Sequence, residues 1–332
     1  MASPLPRAAR PRRAATGLLA LTLLGLAGCS SPDPSSTPST SPSTSPSTPA
    51  PASSAPPTSP SSPRAAAPSG RSYVALGDSY TAAPLVPTTD PAGGCLRSQG
   101  NYPQLVAAAL GDELDDVSCV GATSSSMIGV QRLPDGSVNE PQFDALGRGT
   151  DLVTLGIGGN DVGLFTTLLG TCTPLARQDP TGSPCTDRLA GTPQDLLDAV
   201  DDVAPRIEAV VAGVRDRAPR AQVVVVTYPQ LVPASGSCEE LPLATGDYAY
   251  AREVIAALST AIARGARAAG ADVVDALRLS RGHDVCSDEP WVNGAETDPA
   301  RALALHPFAE EQQAVADAVV TRVRDERGVS AR

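Results

Sequence analysis

From Tyr73 onward the chain alternates short apolar runs, bounded by turn residues, with longer stretches of helical periodicity, and that alternation leaves few architectures open. The runs Tyr73–Leu76, Leu152–Leu155, Val223–Thr227 and Asp272–Val274 are β-branched or aliphatic and short, as strands are, and a weaker one lies near Asp116–Val120. Tyr102–Leu110, Pro193–Arg217, Tyr248–Ala269 and the segment from Pro307 to Arg324 carry apolar residues at helical spacing. Strands that alternate with helices build a mainly parallel sheet with helices on both faces. The expected fold class is therefore α/β, with a five-stranded, mainly parallel sheet. In such sheets ligands bind outside the carboxyl ends of the strands, so the loops after the strands are where chemistry is sought.

The chain before Tyr73 is built differently. Residues 1–28 read as a lipoprotein signal peptide: Arg7, Arg10, Arg12 and Arg13 precede an apolar run from Ala14 to Ala27, which is shorter than the roughly 20 residues of a membrane span. The run ends in Leu26-Ala27-Gly28-Cys29, which resembles the lipobox of bacterial lipoproteins. That resemblance implies cleavage before Cys29 and a diacylglycerol on its thiol; an ordinary signal peptide would leave Cys29 there by chance. Residues 29–70 are almost entirely Ser, Thr, Pro and Ala with no aromatic residue to seed a core, and read as a disordered tether reaching on the order of 120 Å. A single domain over 71–328 remains, expected as a monomer on the outer face of the cell membrane through a lipid anchor, or secreted.

Cysteine parity agrees with export. Setting Cys29 aside from the seven leaves six, Cys95, Cys119, Cys172, Cys185, Cys238 and Cys286, as an oxidising compartment favours. Many pairings are open; the sequential one, Cys95–Cys119, Cys172–Cys185 and Cys238–Cys286, is expected because each bridge then closes a local loop. A zinc site is not expected, since there is no Cys-x-x-Cys pair and the two histidines lack ligand spacing. The net charge of −11, which becomes −15 once the four leader arginines are removed, makes nucleic acid a poor partner.

The loop after the first strand reads Gly77-Asp78-Ser79-Tyr80-Thr81, a turn that presents Ser79 at a helix N-terminus. Backbone N–H groups there can stabilise an oxyanion when the hydroxyl attacks a carbonyl. Taken alone, Asp78 and Ser79 read more simply as helix caps. The loop after Leu155 reads Gly156-Ile157-Gly158-Gly159-Asn160-Asp161-Val162-Gly163, which is not a dinucleotide fingerprint because Asp161 stands where the last glycine belongs. Its glycines suit close backbone approach, and the Asn160 amide suits an oxyanion donor or a brace for its own loop. Gly121, in Cys119-Val120-Gly121-Ala122, can bring an N–H close to a substrate or simply turn the chain. A serine nucleophile needs a proton acceptor titrating near neutrality, and the chain has two histidines, His283 and His306. His283 lies near Cys286, whereas His306 precedes Pro307, which fixes the start of the last helix. His306 is the expected base.

Read together and in order, Gly77-Asp78-Ser79, Gly121, Gly158-Gly159-Asn160-Asp161 and His306-Pro307 resemble the four blocks of the SGNH, or GDSL-motif, hydrolases, over the region from Tyr73 to about Val320. The resemblance implies a flavodoxin-like three-layer α/β/α fold and hydrolysis of carboxylic esters without metal or cofactor. It assigns Ser79 as nucleophile, His306 as base, and an oxyanion hole to the Ser79 N–H, the Gly121 N–H and the Asn160 side chain. The segment from His283 to Trp291 resembles secreted actinobacterial esterases and lipases, whose three sequential disulfides agree with the pairing above.

Two positions depart from the pattern. Tyr80 replaces a leucine, read as a change in packing, and Leu303 stands where an aspartate would lie three residues before the histidine. Some members of that branch orient the histidine with a main-chain carbonyl, so Leu303 or its neighbour is expected to supply one, with Asp298 and Asp284 as competing acids. The expected substrate is a lipid or small acyl ester. O-acetyl polysaccharide is the alternative substrate, and a non-catalytic lipoprotein binding glycan or lipid is the non-enzymatic alternative.

Overall fold

A computed structural model describes residues 70–330. The leader, Cys29 and the tether up to residue 69 lie outside the described residues. Five strands, β1 (Ser72–Gly77), β2 (Glu113–Asp116), β3 (Thr150–Gly156), β4 (Gln222–Val226) and β5 (Asp272–Val274), form one sheet in the order β2-β1-β3-β4-β5, with every neighbouring pair parallel. The chain steps outward one way from β1 to β2 and the other way from β3 to β5. The direction therefore reverses between β1 and β3, and a crevice opens at their carboxyl ends.

Side-chain alternation along the strands feeds two separate cores. Tyr73 and Ala75 of β1, with Leu152, Val224 and Val274, pack against Val106 and Leu110 of α1 (Tyr102–Leu110) and Val315, Val319 and Val323 of α4 (Ala309–Ser330). Val74 and Leu76, with Val153, Leu155, Val223 and Val225, pack against Ile207, Val211 and Val214 of α2 (Val203–Arg217) and Val254, Leu258 and Ile262 of α3 (Asp247–Ala268). Two cores, one on each face, make the three-layer α/β/α arrangement, and they explain why the inner strands read as continuous apolar runs. The edges of α1 follow from its sequence: the Asn101 side chain accepts from the Gln104 N–H at 3.0 Å, Pro103 sits in the first turn, and Gly111 closes the helix at φ 70°.

Two elements differ from expectation. The helix expected over Pro193–Arg217 is divided into a short helix, Leu196–Val200, and α2, because Asp195 caps the first by accepting from the Leu197 N–H and Asp201-Asp202 form a turn between them. The weak strand lies at Glu113–Asp116 instead of Asp116–Val120. As an edge strand it pairs with β1 alone, and its acidic side chains leave Leu114 as its one apolar residue. Val117 and Cys119 continue beyond it as extended chain, donating to the Ala75 and Gly77 carbonyls at 3.0 and 3.1 Å. Three disulfides join Cys95 to Cys119, Cys172 to Cys185 and Cys238 to Cys286, across 24, 13 and 48 residues.

The contact between α2 and α3 depends on a missing side chain. A Cβ on Gly265 would lie 2.2 Å from the Ala204 carbonyl oxygen, so Gly265→Ala must push the helices apart. Urea denaturation is expected to show that this substitution lowers stability by about 1–3 kcal/mol, whereas a helix interior otherwise prefers alanine to glycine.

Candidate active site

β1 ends on Gly77, whose peptide groups are gripped from both sides by one side chain. Its N–H donates to Gln142 Oε1 at 2.8 Å, and its carbonyl accepts from Gln142 Nε2 at 2.9 Å. A Cβ here would lie 2.2 Å from Thr81 Oγ1 and 2.6 Å from the Gly156 carbonyl, so only glycine fits. Asp78 follows, with no exposed surface, and caps the one-turn helix Ser79–Ala82 by accepting from the Tyr80 N–H at 2.9 Å. Its other oxygen accepts from the Tyr228 hydroxyl, which itself accepts from the Gly159 N–H at 2.8 Å. Burial pushes the Asp78 carboxyl up to about 7, against the pull of these hydrogen bonds. Capping thus falls to Asp78, and the Ser79 hydroxyl is left for another partner.

That partner is His306, whose Nε2 lies 2.7 Å from Ser79 Oγ. The other ring nitrogen, Nδ1, meets the Ala304 carbonyl at 2.7 Å. A carbonyl only accepts, so Nδ1 carries the proton and Nε2 presents its lone pair to the serine. Of the two carbonyls expected, Leu303 or its neighbour, the neighbour Ala304 meets the ring, because the Leu303 carbonyl is occupied by the His306 N–H at 3.1 Å and the Asn293 amide at 3.1 Å. The competing acids are engaged elsewhere: Asp298 accepts from the Ala300 N–H, and Asp284 from the Cys286 N–H and Gln230. His283 stacks on Trp291 at 4.1 Å and meets the Glu289 carbonyl, away from Ser79.

The loop carrying His306 is held under strain. Leu305 is a non-glycine residue at φ 58°, fully buried, with its N–H donated to the Gly294 carbonyl at 2.8 Å and its carbonyl accepting from the Tyr80 hydroxyl. The Tyr80, Phe165 and His306 rings form a triangular cluster, with Tyr80 5.1 Å from Phe165 and 5.3 Å from His306, and Phe165 6.3 Å from His306. Tyr80 is therefore more than a packing substitution: it hydrogen-bonds the residue preceding His306. Desolvation lowers the His306 pKa to about 4, partly opposed by the Ala304 carbonyl, and among the described residues no carboxylate hydrogen-bonds the ring.

The remaining donors sit on two braced loops. Gly121, at φ 73°, takes a left-handed conformation that favours glycine, and among the described residues neither its N–H nor that of Ser79 has a hydrogen-bond partner. Asn160 Nδ2 donates to the Ala122 carbonyl at 2.9 Å, so it ties its loop to that of Gly121 while its second amide hydrogen remains for a ligand. Asp161 adds to the brace by accepting from the Ser124 N–H at 3.0 Å and from its hydroxyl, and it pairs with Arg206 at 3.6 Å. Among the described residues no group of three or more His, Cys, Asp or Glu side chains is placed to hold a metal ion.

Sequence reading assigned no bracing role to Gln142, Asp161, Tyr228 or the hydroxyl of Tyr80. Tyr228 follows the carboxyl end of β4, where sheet topology said to look; Gln142 lies 65 residues from Gly77 and carries no local signal. Together the groups can activate a hydroxyl, receive its proton and stabilise an oxyanion.

Comparison with known proteins identifies the family. The model of the GDSL-like lipase/acylhydrolase family matches residues 75–314. The chain is 41% identical to a lipase, Lipase 2, of Streptomyces coelicolor over 244 residues, covering 70% of this chain and 81% of that protein. It is similar to the crystal structure of phospholipase A1 from Streptomyces albidoflavus NA297, with 27% identity, TM-score 0.61, and coverage of 76% of this chain and 99% of that one. The extracellular lipase from Streptomyces rimosus superposes with 27% identity, TM-score 0.60 and the same two coverages.

Two outcomes follow from the geometry. An imidazole whose pKa lies below the ordinary value stays unprotonated as pH falls; with His306 as base, the acid limb of kcat/KM should have its midpoint between about 4 and 6.5, the ring being only half-buried. Tyr80→Phe leaves the buried Leu305 carbonyl without its donor; kcat should fall about tenfold with KM little changed, and stability by about 1–3 kcal/mol. Steady-state kinetics and thermal melts of the purified variant check both.

Proposed function

The chain belongs to the GDSL-like lipase/acylhydrolase family and is a carboxylic ester hydrolase, and from that footing we propose that Ser79 and His306 carry its reaction. One observation supports this above the others: Ser79 Oγ stands 2.7 Å from His306 Nε2 while Nδ1 is fixed on a carbonyl. In the proposed cycle His306 takes the Ser79 proton as the oxygen attacks the acyl carbon. The Ser79 N–H, the Gly121 N–H and the Asn160 amide receive the oxyanion, and His306 returns the proton to the departing alcohol. Water, deprotonated in turn by His306, then cleaves the acyl-enzyme. The Ala304 carbonyl fixes the tautomer as a carboxylate does, but brings less charge to the imidazolium.

The names of the relatives, a lipase and a phospholipase A1 among them, support a lipid acyl ester as substrate over an O-acetylated glycan. Three disulfides and the similarity to an extracellular lipase support export, and the segment ending in Cys29 supports a lipid anchor there. Hydrolysis of a soluble short-chain chromogenic ester should fall by about 10³-fold or more in Ser79→Ala and in His306→Ala, with circular dichroism unchanged. Undiminished turnover by well-folded Ser79→Ala sinks the mechanism. Release of acetate from an acetylated glycan faster than fatty acid from phospholipid overturns the substrate class alone.

A further inference from the structure

Among the described residues three large aliphatic side chains stand open to solvent, Ile128 (71% exposed), Val130 (49%) and Val138 (43%), and all lie in the segment 128–138. This segment contains a short antiparallel ladder in which Gln131 faces Asn139 and Arg132 faces Val138. Its inner face is seated on the Gly121 loop: Gln131 Nε2 donates to the Val120 carbonyl at 2.7 Å, and Leu133 is buried. Strand alternation then puts Val130, Arg132 and Val138 together on the outer face. Arg132 is exposed and has no ion-pair partner among the described residues.

Beside the ladder lies an open groove of about 660 Å³, lined mainly by Leu96, Val120, Leu133 and Pro134 with the charged Arg132 and Asp135 at its wall, and reaching Gly121 and Leu303. Arg132, the cross-strand partner of the exposed Val138, also lines this groove, so a mainly apolar path leads from the ladder that carries the exposed side chains to the Gly121 loop. Three exposed aliphatic side chains fall well short of the roughly 20–30 residues a side of a stable dimer interface. It does suit the boundary between lipid headgroups and chains, where aliphatic tips insert and a guanidinium meets phosphate. The net charge of −11 opposes binding to an anionic surface, so a zwitterionic one is indicated.

We propose that the 128–138 segment docks the enzyme on a zwitterionic phospholipid surface, Ile128, Val130 and Val138 entering it, and that the groove draws one acyl chain toward Ser79. The proposal rests on the ester-hydrolase mechanism above and adds the form in which the substrate is met. Each aliphatic side chain taken out of water strengthens partitioning by about tenfold.

The test uses phosphatidylcholine vesicles and a soluble short-chain ester side by side. Flotation with vesicles is measured for Ser79→Ala with and without Ile128→Glu, Val130→Glu and Val138→Glu; the glutamates should lower the bound fraction at least about tenfold. In the otherwise unchanged enzyme the same glutamates should slow phosphatidylcholine hydrolysis by a similar factor while short-ester kcat/KM stays within about twofold. Leu96→Trp and Pro134→Trp, two independent ways of filling the groove, should each shift chain-length preference toward short acyl groups. Equal vesicle binding and equal phosphatidylcholine hydrolysis with and without the glutamates overturns the docking surface. Unchanged chain-length preference in both tryptophan variants overturns the groove. A doubling of mass in solution that the glutamates abolish identifies the patch as a dimer contact and overturns the proposal as well. Loss of short-ester activity is the separate signature of the mechanism and is read from Ser79→Ala alone.

Discussion

Asp78 has no surface exposed to water, and each of its oxygens takes a hydrogen bond from a different part of the chain, one from the Tyr80 N–H and one from the Tyr228 hydroxyl. Tyr228 in turn takes the Gly159 N–H. This relay connects the ends of β1, β3 and β4, the three central strands, at the edge where the crevice opens. A buried carboxyl persists only when its oxygens are satisfied, so placing Asp78 places the loops around it. The helix cap, the orientation of Ser79 and the close approach of the Gly158-Gly159 turn all follow from that one buried group.

The histidine side of the site is solved without a buried charge. A carboxylate behind His306 would need its own desolvation and its own donors, and Leu303 brings neither. The loop instead turns the Ala304 carbonyl onto Nδ1, which requires Leu305 to adopt a left-handed conformation. That strain, of order 1–2 kcal/mol, is opposed by hydrogen bonds to both Leu305 peptide groups, one of them from Tyr80. The Ser79–Ala82 turn therefore reaches across and braces the loop that carries His306, so the two halves of the candidate site are mechanically connected as well as adjacent.

Much of this was legible in the chain because it is written locally. The strand runs at Tyr73–Leu76 and Leu152–Leu155 and the helix Tyr102–Leu110 carry their own periodicity and caps, and Ser79, Gly121, Asn160 and His306 sit in short motifs beside strand ends or a helix start. What escaped was set by partners distant in sequence. Glu113–Asp116 is a strand because β1 needs an edge partner, not because its residues favour one. Tyr80 read as packing because its acceptor, Leu305, lies 225 residues away. The choice of Ala304 over Leu303 depends on which carbonyl Asn293 had already taken.

Ser79 and His306 are separated by 227 residues, yet the three disulfides span only 24, 13 and 48. The bridges can therefore close one after another as the chain emerges, whereas the serine meets its histidine only after the last loop has docked on the first. A chain that ends between Cys286 and His306 carries every cysteine and Ser79 but lacks the imidazole that stands against the serine hydroxyl. Complete disulfide pairing therefore does not by itself assemble the Ser79–His306 contact, which waits for the segment that follows the last cysteine.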